Sequence, residues 1–274
     1  MSARAPRVAV VGLGLVGGSL ARALTVAGYQ VLGVDRPSVR RAAREAGAVA
    51  RTVATVERAA SCDVIFLAAP PATNRTLLRR LARVWRPGLV VTDVGSVKGP
   101  IVRDARRLRL TGFVGGHVMA GTEKRGFGAS SARLFDGAVW WIVPAVDART
   151  TRAVRALVRA VGARPRTIDA EQHDRIVAFL SHAPQLASWA LLEAARADPV
   201  ARRHLSTSGP GFRDMTRLAR SPRLLWREIL EENRDEVARA LADVARRLAP
   251  RAPWPNSARP RSRSKPSART SKRK

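Results

Sequence analysis

Three features of the sequence predict an α/β protein with a parallel-rich sheet, followed by an all-α part. Strand-like apolar segments alternate with helical segments over residues 1–169, a glycine-rich turn follows the first of these strands, and only helical periodicity continues from residue 170. Strands that alternate with helices form parallel sheets with right-handed crossovers. We therefore expect one domain over residues 1–169, a helical domain over 170–249 and a separate tail over 250–274.

The elements can be placed in order along the chain. The segment RVAVVGLGLVGGSLARALTVAGYQVLGVD predicts a strand, a glycine turn, a helix ending near Gly28 and a second strand ending at Asp35. CDVIFLAAPP, GLVVTDVGSVKG and TGFVGG predict three further buried strands, and AVWWIVP begins a last group of strand, helix and strand. After Asp169, AEQHDRIVAFLSHAPQLASWALLEAARA and SPRLLWREILEENRDEVARALADVARRLA each predict one long helix, and STSGPGFRDMTRLARS joins them.

The glycine turn has the pattern GxGxxG at Gly12, Gly14 and Gly17, directly after a strand and at the start of a helix. In this context the pattern predicts a Rossmann-type dinucleotide-binding domain, and an ordinary glycine turn is the alternative. The glycines allow a tight turn and close approach of a pyrophosphate. Asp35, 18 residues after Gly17, favours NAD over NADP because it would accept hydrogen bonds from ribose hydroxyls. Arg36 weakens that preference because an arginine can accommodate a 2′-phosphate.

Cofactor and substrate should meet at the carboxyl ends of the parallel strands. AAPP (68–71) and DVGSVK (93–98) end strands at this edge, and so does His117, which follows TGFVGG. His117 is a candidate base, and the alternative is a structural histidine in the core. We expect no metal site, and we expect the cofactor to contact Gly12, Leu13, Gly14, Leu15, Val16, Gly17, Asp35, Arg36, Ala69, Pro70 and Gly95.

The charge of the chain is unusual, because 50 Lys and Arg residues accompany 21 Asp and Glu, a formal net charge of +29. Lysine occurs only at positions 98, 124, 265, 272 and 274, so arginine carries nearly all of the positive charge. A compositional bias toward Arg and Ala explains this better than a dedicated polyanion-binding face, although a positive potential still attracts anionic ligands. The tail from Arg251 to Lys274 has nine basic residues, four prolines and no acid. We expect it to be disordered, either as a solubilising extension or in weak, non-specific contact with a polyanion.

Composition also excludes some classes of protein. No apolar run reaches the roughly 18 residues of a membrane-spanning helix, and the N-terminus enters a strand-like segment rather than a signal peptide. The single Cys62 excludes an internal disulfide, so we expect a cytoplasmic protein. Helical second domains on dinucleotide-binding folds often pair across a two-fold axis, so we expect a homodimer.

Five segments together point to a family: GLGLVGGS, DVGSVK, GGHVMAGTEKRG, FLSHAPQLAS and GFRDMTRLARSPRLLWREI. Their order and spacing, over about residues 7–248, resemble the prephenate and arogenate dehydrogenases of tyrosine biosynthesis. The resemblance implies NAD-dependent oxidative decarboxylation of prephenate to 4-hydroxyphenylpyruvate, or of arogenate to tyrosine. Hydride leaves the carbinol carbon, the ring carboxylate departs as CO2, and aromatisation supplies the driving force.

The resemblance also implies roles for individual residues. His117 matches the catalytic histidine, and Ser96 matches a serine that hydrogen-bonds the same substrate hydroxyl. Arg217 matches the substrate arginine, whose planar fork suits a carboxylate. We expect it to bind the side-chain carboxylate, because pairing with the ring carboxylate would stabilise the group that must leave. Glu123 and Arg213 match a pair that helps to gate the site in relatives, and a plain surface ion pair is the alternative.

Two departures from the family pattern affect the site. Val118 stands where the family usually has a proline after the histidine, so we expect a looser turn. Gln185 stands where the family often has a second histidine, three residues after His182, and we expect both side chains to face the cleft. Because glutamine cannot be protonated, the site has one cation fewer and would tolerate the ammonium group of arogenate better. The choice between prephenate and arogenate stays open.

Two other classes of protein compete with this interpretation. A different hydroxy-acid dehydrogenase would commonly use a lysine of the helical domain as its base, but no lysine occurs between Lys124 and Lys265. A non-catalytic dinucleotide-binding protein with a nucleic-acid-binding tail would have no need of His117, Ser96 and Arg217 together.

Overall fold

The computed structural model describes residues 5–122 and 124–248. An eight-stranded sheet has the order β3-β2-β1-β4-β5-β6-β7-β8. The first six strands are parallel to one another, β7 runs antiparallel to β6, and β8 is parallel to β7. The predicted parallel-rich α/β fold is therefore confirmed. The strands are β1 (Val8–Val11), β2 (Val31–Val34), β3 (Arg51–Val53), β4 (Val64–Leu67), β5 (Val90–Asp93), β6 (Phe113–Val118), β7 (Val139–Val143) and β8 (Arg164–Thr167).

Helices cover both faces of this sheet. Alternate residues of a strand point to opposite faces, so Val8 and Val10 of β1 belong to one apolar core and Ala9 and Val11 to another. The first core includes residues of α1 and α6, and the second includes residues of α3, α4 and α5. The helices are α1 (Leu15–Val26), α2 (Pro37–Glu45), α3 (Val56–Ala59), α4 (Pro71–Ala82), α5 (Gly99–Arg107) and α6 (Ala148–Ala160).

The sheet differs from the sequence prediction in three places. The short strand β3 was not predicted, because its three residues are exposed or half-buried and give no apolar signal. Strand β2 ends at Val34, one residue before the predicted end at Asp35. Strand β6 continues through His117 to Val118, so the looser turn expected at Val118 is wrong: pairing with β7 holds this stretch extended.

The remainder of the described chain is helical, as predicted. Its helices are α7 (Ala170–Val177), α8 (Ala183–Ala197), α9 (Pro199–Arg203), α10 (Pro210–Thr216), α11 (Arg223–Glu232) and α12 (Arg234–Leu248). A π-helical segment, Ala178–His182, separates α7 from α8. The segment STSGPGFRDMTRLARS is not a plain linker, since it contains α10 and a 3-10 turn at Arg217–Arg220.

The last predicted helix is two helices, which meet at Asn233. Asn233 ends α11 with φ −115° and ψ 26°, and its side chain is buried. The amide donates to the carbonyl oxygen of Asp174 at 2.8 Å. Apolar periodicity continues through the break, so the sequence pattern alone could not reveal it.

Three other expectations concern the limits of the described chain. Within residues 5–122 and 124–248, no helix combines the length and apolar character needed to cross a membrane. The basic tail (250–274) lies outside the described residues, which end at residue 248, and so does Glu123. The division into domains at 169/170 stays a prediction.

Candidate active site

The glycine turn after β1 is packed tightly against the end of β4. Gly12 has φ +91°, and a Cβ there would lie 2.8 Å from the carbonyl carbon of Ala68. A Cβ on Gly17 would lie 1.8 Å from the Gly12 carbonyl oxygen, so α1 can start here only with glycine at that position. By contrast, a Cβ on Gly14 would meet nothing within 4 Å. Gly14 therefore borders open space beside the N-terminus of a helix, where a phosphate group would be favoured.

Asp35 ties the end of β2 to this turn. Its Oδ2 accepts a hydrogen bond from the backbone N–H of Leu13 at 2.6 Å, and Oδ1 accepts from the N–H of Arg36 at 2.6 Å. Each carboxylate oxygen keeps a further lone pair for a hydroxyl donor. The Arg36 side chain is 85% exposed, and its Nε lies 3.9 Å from Asp35. It is therefore free to turn toward a different anion.

The other predicted cofactor contacts lie along the same edge of the sheet. Leu13 is fully buried and Leu15 and Val16 are half-buried, so Leu13 can offer a ligand only its backbone. The segment after β4 is anchored by Asn74, a buried residue that was not predicted from the sequence. Its Oδ1 accepts from the N–H of Ala69 at 3.0 Å, while the neighbouring Pro70 is exposed.

His117 lies near the carboxyl end of β6, on the edge that also carries the ends of β1, β4 and β5. Its side chain is buried, and Nδ1 lies 2.8 Å from Nε2 of His173. Within the described residues, no hydrogen bond involves the other ring nitrogen of His117, Nε2. Burial lowers the pKa of His117 well below its ordinary value, and the nearby His173, Lys98 and His182 lower it further.

His173 and Asp174, adjacent residues on α7, extend this contact into a chain. Nδ1 of His173 lies 2.8 Å from Oδ1 of Asp174. The same carboxylate accepts from the backbone N–H groups of Lys98 and Gly99, both at 2.7 Å, and so caps the N-terminus of α5. Neither residue was predicted from the sequence to belong to the site. The available signal was that this polar pair shares a helix face with the apolar residues one turn later, Ile176, Val177 and Ala178.

Lys98 and Asp93 form a buried ion pair that contacts the backbone of Gly116, the residue before His117. Lys98 Nζ donates to Asp93 and, at 2.7 Å, to the carbonyl oxygen of Gly116. Asp93 Oδ1 accepts from the N–H of Gly116 at 3.0 Å. Both polar backbone groups of Gly116 are thus held by one ion pair, which fixes the start of the His117 peptide.

Ser96 and Gly95 lie in the loop between β5 and α5, and this loop is fixed at both ends. Near its start, the N–H of Gly95 donates to Asp93 Oδ2 at 2.9 Å. At its end, Lys98 donates to Asp174 as described above. Ser96 is half-buried between these two anchors. The structure thus places Ser96 on the same sheet edge as His117, one strand away.

His182 and Gln185 lie inside the helical part and do not face an open cleft in this structure, contrary to the expectation. His182 is 1% exposed and its Nδ1 lies 3.1 Å from Nδ2 of Asn233. Burial lowers its pKa to about 4, so the imidazole is neutral at pH 7. Gln185 is completely buried and donates through Nε2 to the carbonyl oxygen of Leu218 at 2.8 Å.

The Gln185 contact positions the turn that begins at Arg217. Trp189, one helical turn further along α8, donates to the carbonyl oxygen of Ala219 at 3.2 Å, so two side chains hold the same 3-10 turn. Arg217 and Arg213 are both exposed. Neither forms an ion pair with a side chain in residues 5–122 or 124–248. Glu123, the predicted partner of Arg213, is outside these residues.

These features define a Rossmann-type dinucleotide-binding fold joined to a helical part, with a buried histidine chain where the two meet. The family model described as "Prephenate dehydrogenase, nucleotide-binding domain" matches residues 20–166, and that described as "Prephenate dehydrogenase, dimerization domain" matches residues 169–252. The chain therefore belongs to the prephenate dehydrogenase family.

Individual relatives agree with this assignment. The prephenate dehydrogenase of Lactococcus lactis subsp. cremoris is 32% identical over 237 residues, which cover 83% of this chain and 65% of the relative. The structure of prephenate dehydrogenase from A. aeolicus in complex with hydroxyphenyl propionate and NAD+ has a TM-score of 0.83 and 30% identity, covering 90% of each chain. Synechocystis arogenate dehydrogenase has a TM-score of 0.79 and 29% identity, covering 88% of this chain and 89% of its own. The chain thus spans about two thirds of the length of the L. lactis enzyme, and nearly all of the two solved structures.

The space around Gly116 gives a testable prediction. A Cβ there would lie 2.3 Å from the backbone oxygen of Asp93, which cannot move without disturbing β5. We expect Gly116→Ala to lower the free energy of unfolding by about 1–3 kcal/mol, measured by urea denaturation. Gly121→Ala is the matched control, because a Cβ there meets nothing within 4 Å. Equal stability of the two variants would contradict this account of the packing.

Proposed function

We propose that the chain is an NAD-dependent prephenate dehydrogenase, which converts prephenate to 4-hydroxyphenylpyruvate and CO2. The observation that carries the proposal is the buried His117 at the carboxyl edge of the sheet, with one ring nitrogen bonded to His173 and the other uncommitted among the described residues. The family membership and the 32% identity to the L. lactis prephenate dehydrogenase support the same reaction.

The glycine turn fits a dinucleotide. Gly12 and Gly17 have no room for a side chain, and Gly14 borders open space at the N-terminus of α1. Asp35 is placed to accept from ribose hydroxyls, which favours NAD over NADP. When bound, NAD+ supplies the acceptor for the hydride that leaves the carbinol carbon. The remaining predicted contacts, including Ala69, Pro70 and Gly95, are part of this proposal.

His117 is the proposed base. Its lowered pKa keeps the imidazole neutral at pH 7, so that it can accept the proton of the carbinol hydroxyl as the carbonyl forms. Ser96, on the neighbouring loop, is proposed to hydrogen-bond the same hydroxyl and orient it. The ring carboxylate then leaves as CO2, and the ring becomes aromatic.

Arg217 is proposed to bind the side-chain carboxylate of the substrate through its planar guanidinium. Binding the ring carboxylate would instead stabilise the group that must be lost and would raise the barrier. The two hydrogen bonds from Gln185 and Trp189 to the turn at 217–220 support a fixed position for this arginine. Gating by Glu123 and Arg213 stays a prediction.

Arogenate is a second candidate substrate, because the chain is also 29% identical to Synechocystis arogenate dehydrogenase. Gln185 carries no charge, and its Oε1 is buried with no hydrogen-bond donor among the described residues. His182 is neutral because its pKa is lowered to about 4. Both side chains are buried and face no open cleft, and neither adds a positive charge that would repel an ammonium group. Arogenate carries such a group where prephenate has a keto oxygen.

The exposed apolar side chains of the helical part support the proposal of a homodimer. Leu180, Val200, Met215 and Leu224 are between 57% and 78% exposed. A second copy of the chain would remove this apolar surface from water, in agreement with the description of the family model as a dimerization domain. We expect sedimentation equilibrium to give twice the chain mass. A monomer mass at micromolar concentration would contradict the proposal.

The cellular location and the role of the basic tail (250–274) are the last two points. We keep a cytoplasmic location, which the single, buried Cys62 supports and which cell fractionation tests. Polyanion contact by the tail has no support among the relatives, and its residues lie outside the described ones. We therefore propose no function for it.

The activity can be tested directly. We expect the purified chain to reduce NAD+ with prephenate or arogenate, and four assays that combine either substrate with NAD+ or NADP+ define its preference. His117→Asn should lower kcat about 100-fold or more, since a positioned base contributes at least that much. His204→Asn is the matched control, because His204 is exposed. If His117→Asn stays within a few-fold of the wild type, His117 is not the base.

Arg217 is tested by separating KM from kcat. Removing a charge-assisted, bidentate contact to the substrate should raise KM about tenfold or more in Arg217→Ala, with a smaller change in kcat. Arg220→Ala is the control, since Arg220 is an exposed residue of the same 3-10 turn. An unchanged KM in Arg217→Ala would rule out the assigned contact.

A further inference from the structure

The hydrogen-bond chain behind His117 constrains which of its nitrogens carries the proton. Asp174 accepts two backbone N–H bonds, from Lys98 and Gly99, and so acts as the anionic acceptor at the N-terminus of α5. An ionised carboxylate can only accept hydrogen bonds. The contact of 2.8 Å between Asp174 and His173 Nδ1 therefore requires the proton to be on Nδ1 of His173.

The protonation of His173 in turn determines which nitrogen of His117 carries a proton. Burial lowers the pKa of His173, so its ring is neutral and carries only one N–H. With the proton on Nδ1, Nε2 of His173 has a lone pair and can only accept. The 2.8 Å contact between this atom and Nδ1 of His117 then requires His117 to donate. A neutral His117 that donates through Nδ1 has an unprotonated Nε2.

We infer that His173 and Asp174 are positioning residues, which hold His117 in the one tautomer whose Nε2 can accept the substrate proton. The inference rests on the proposed function for its catalytic consequence, but the tautomer itself is a property of the free protein. In the reaction, the O–H bond of the carbinol breaks and an Nε2–H bond forms on His117. The Nδ1–H bond stays intact and points to His173, so the positive charge on His117 faces a chain that ends on a carboxylate.

Few other groups near His117 could determine which of its ring nitrogens carries the proton. The charged and titratable groups that act on His117 are His173, Lys98 and His182, and those that act on His173 are Lys98, Asp174 and Asp93. Lys98 is engaged with Asp93 and the Gly116 carbonyl oxygen, and His182 with Asn233. Among the described residues, only His173 forms a hydrogen bond with the His117 ring. The rings meet edge to face, with centroids 5.0 Å apart and planes at 76°.

The tautomer can be measured without any assay of activity. We expect long-range ¹H–¹⁵N NMR spectra of the full chain at pH 7.5 to show His117 protonated on Nδ1 and unprotonated on Nε2. His117→Asn assigns the resonance. A wild-type spectrum with the proton on Nε2 of His117 would overturn the inference, whether or not the chain turns over prephenate.

Two substitutions of His173 separate hydrogen bonding from packing. His173→Phe keeps a ring of similar size but removes the acceptor, whereas His173→Gln loses the ring and can offer its Oε1 as an acceptor. If the acceptor matters, kcat falls about 100-fold in His173→Phe, with KM within about threefold, while His173→Gln recovers at least tenfold of that loss. If only packing matters, His173→Phe is the more active variant, and the inference fails.

A control variant and thermal unfolding separate a catalytic effect of the His173 substitutions from a loss of folding. His204→Phe is the control for substitution of a histidine in general, because His204 is exposed. Thermal unfolding of each variant identifies loss of folding, and in that event the wild-type NMR spectrum alone decides. If the wild type lacks dehydrogenase activity but has the expected tautomer, the proposed function fails and the positioning of His117 stands.

Discussion

The Asp174 carboxylate is the contact on which the candidate site depends. It accepts hydrogen bonds from the first backbone amides of α5, and it also contacts His173, which in turn contacts His117. The amides belong to the sheet part and the carboxylate to the helical part. Helix N-termini need acceptors for their unpaired N–H groups, and an anion satisfies both this requirement and the helix dipole. One side chain therefore joins the two parts and orients the proposed base, so the site exists only when they are packed together.

A second fixed element beside His117 is the buried ion pair of Lys98 and Asp93. Burying two charges is costly unless both find further hydrogen bonds, and here the backbone of Gly116 and Gly95 supplies them. The pair thereby fixes the peptide that precedes His117. Its lysine also contributes to the lowered pKa of His117, which favours a neutral imidazole. Together with the pairing of β6 and β7, this ion pair holds the backbone on both sides of His117.

Features with local causes could be predicted from the sequence. GxGxxG at 12–17 was informative because two of its positions require glycine. Gly12 has a positive φ, and Gly17 has no space for a Cβ. Apolar runs likewise identified six of the eight strands in the described chain, whereas β8, whose residues are exposed or half-buried, was expected only as the strand that follows the last helix of the sheet part. The missing strand, β3, begins with an exposed arginine and pairs only with β2 at the sheet edge, so it gives no apolar signal. The break at Asn233 was missed because apolar periodicity continues across it, and the break depends on a buried contact with Asp174.

The sequence by itself determined the alternation of strands and helices, the glycine turn and the position of His117 at the carboxyl edge of the sheet. Periodicity and backbone requirements act over a few residues, so they can be read along the chain. Only the tertiary structure decided what surrounds His117. Its partner His173 is 56 residues away, and Asp174 reaches Lys98 over 76 residues and Asn233 over 59. Such contacts depend on how α7 packs against α5 and how α12 packs against α7, and no local pattern encodes that packing.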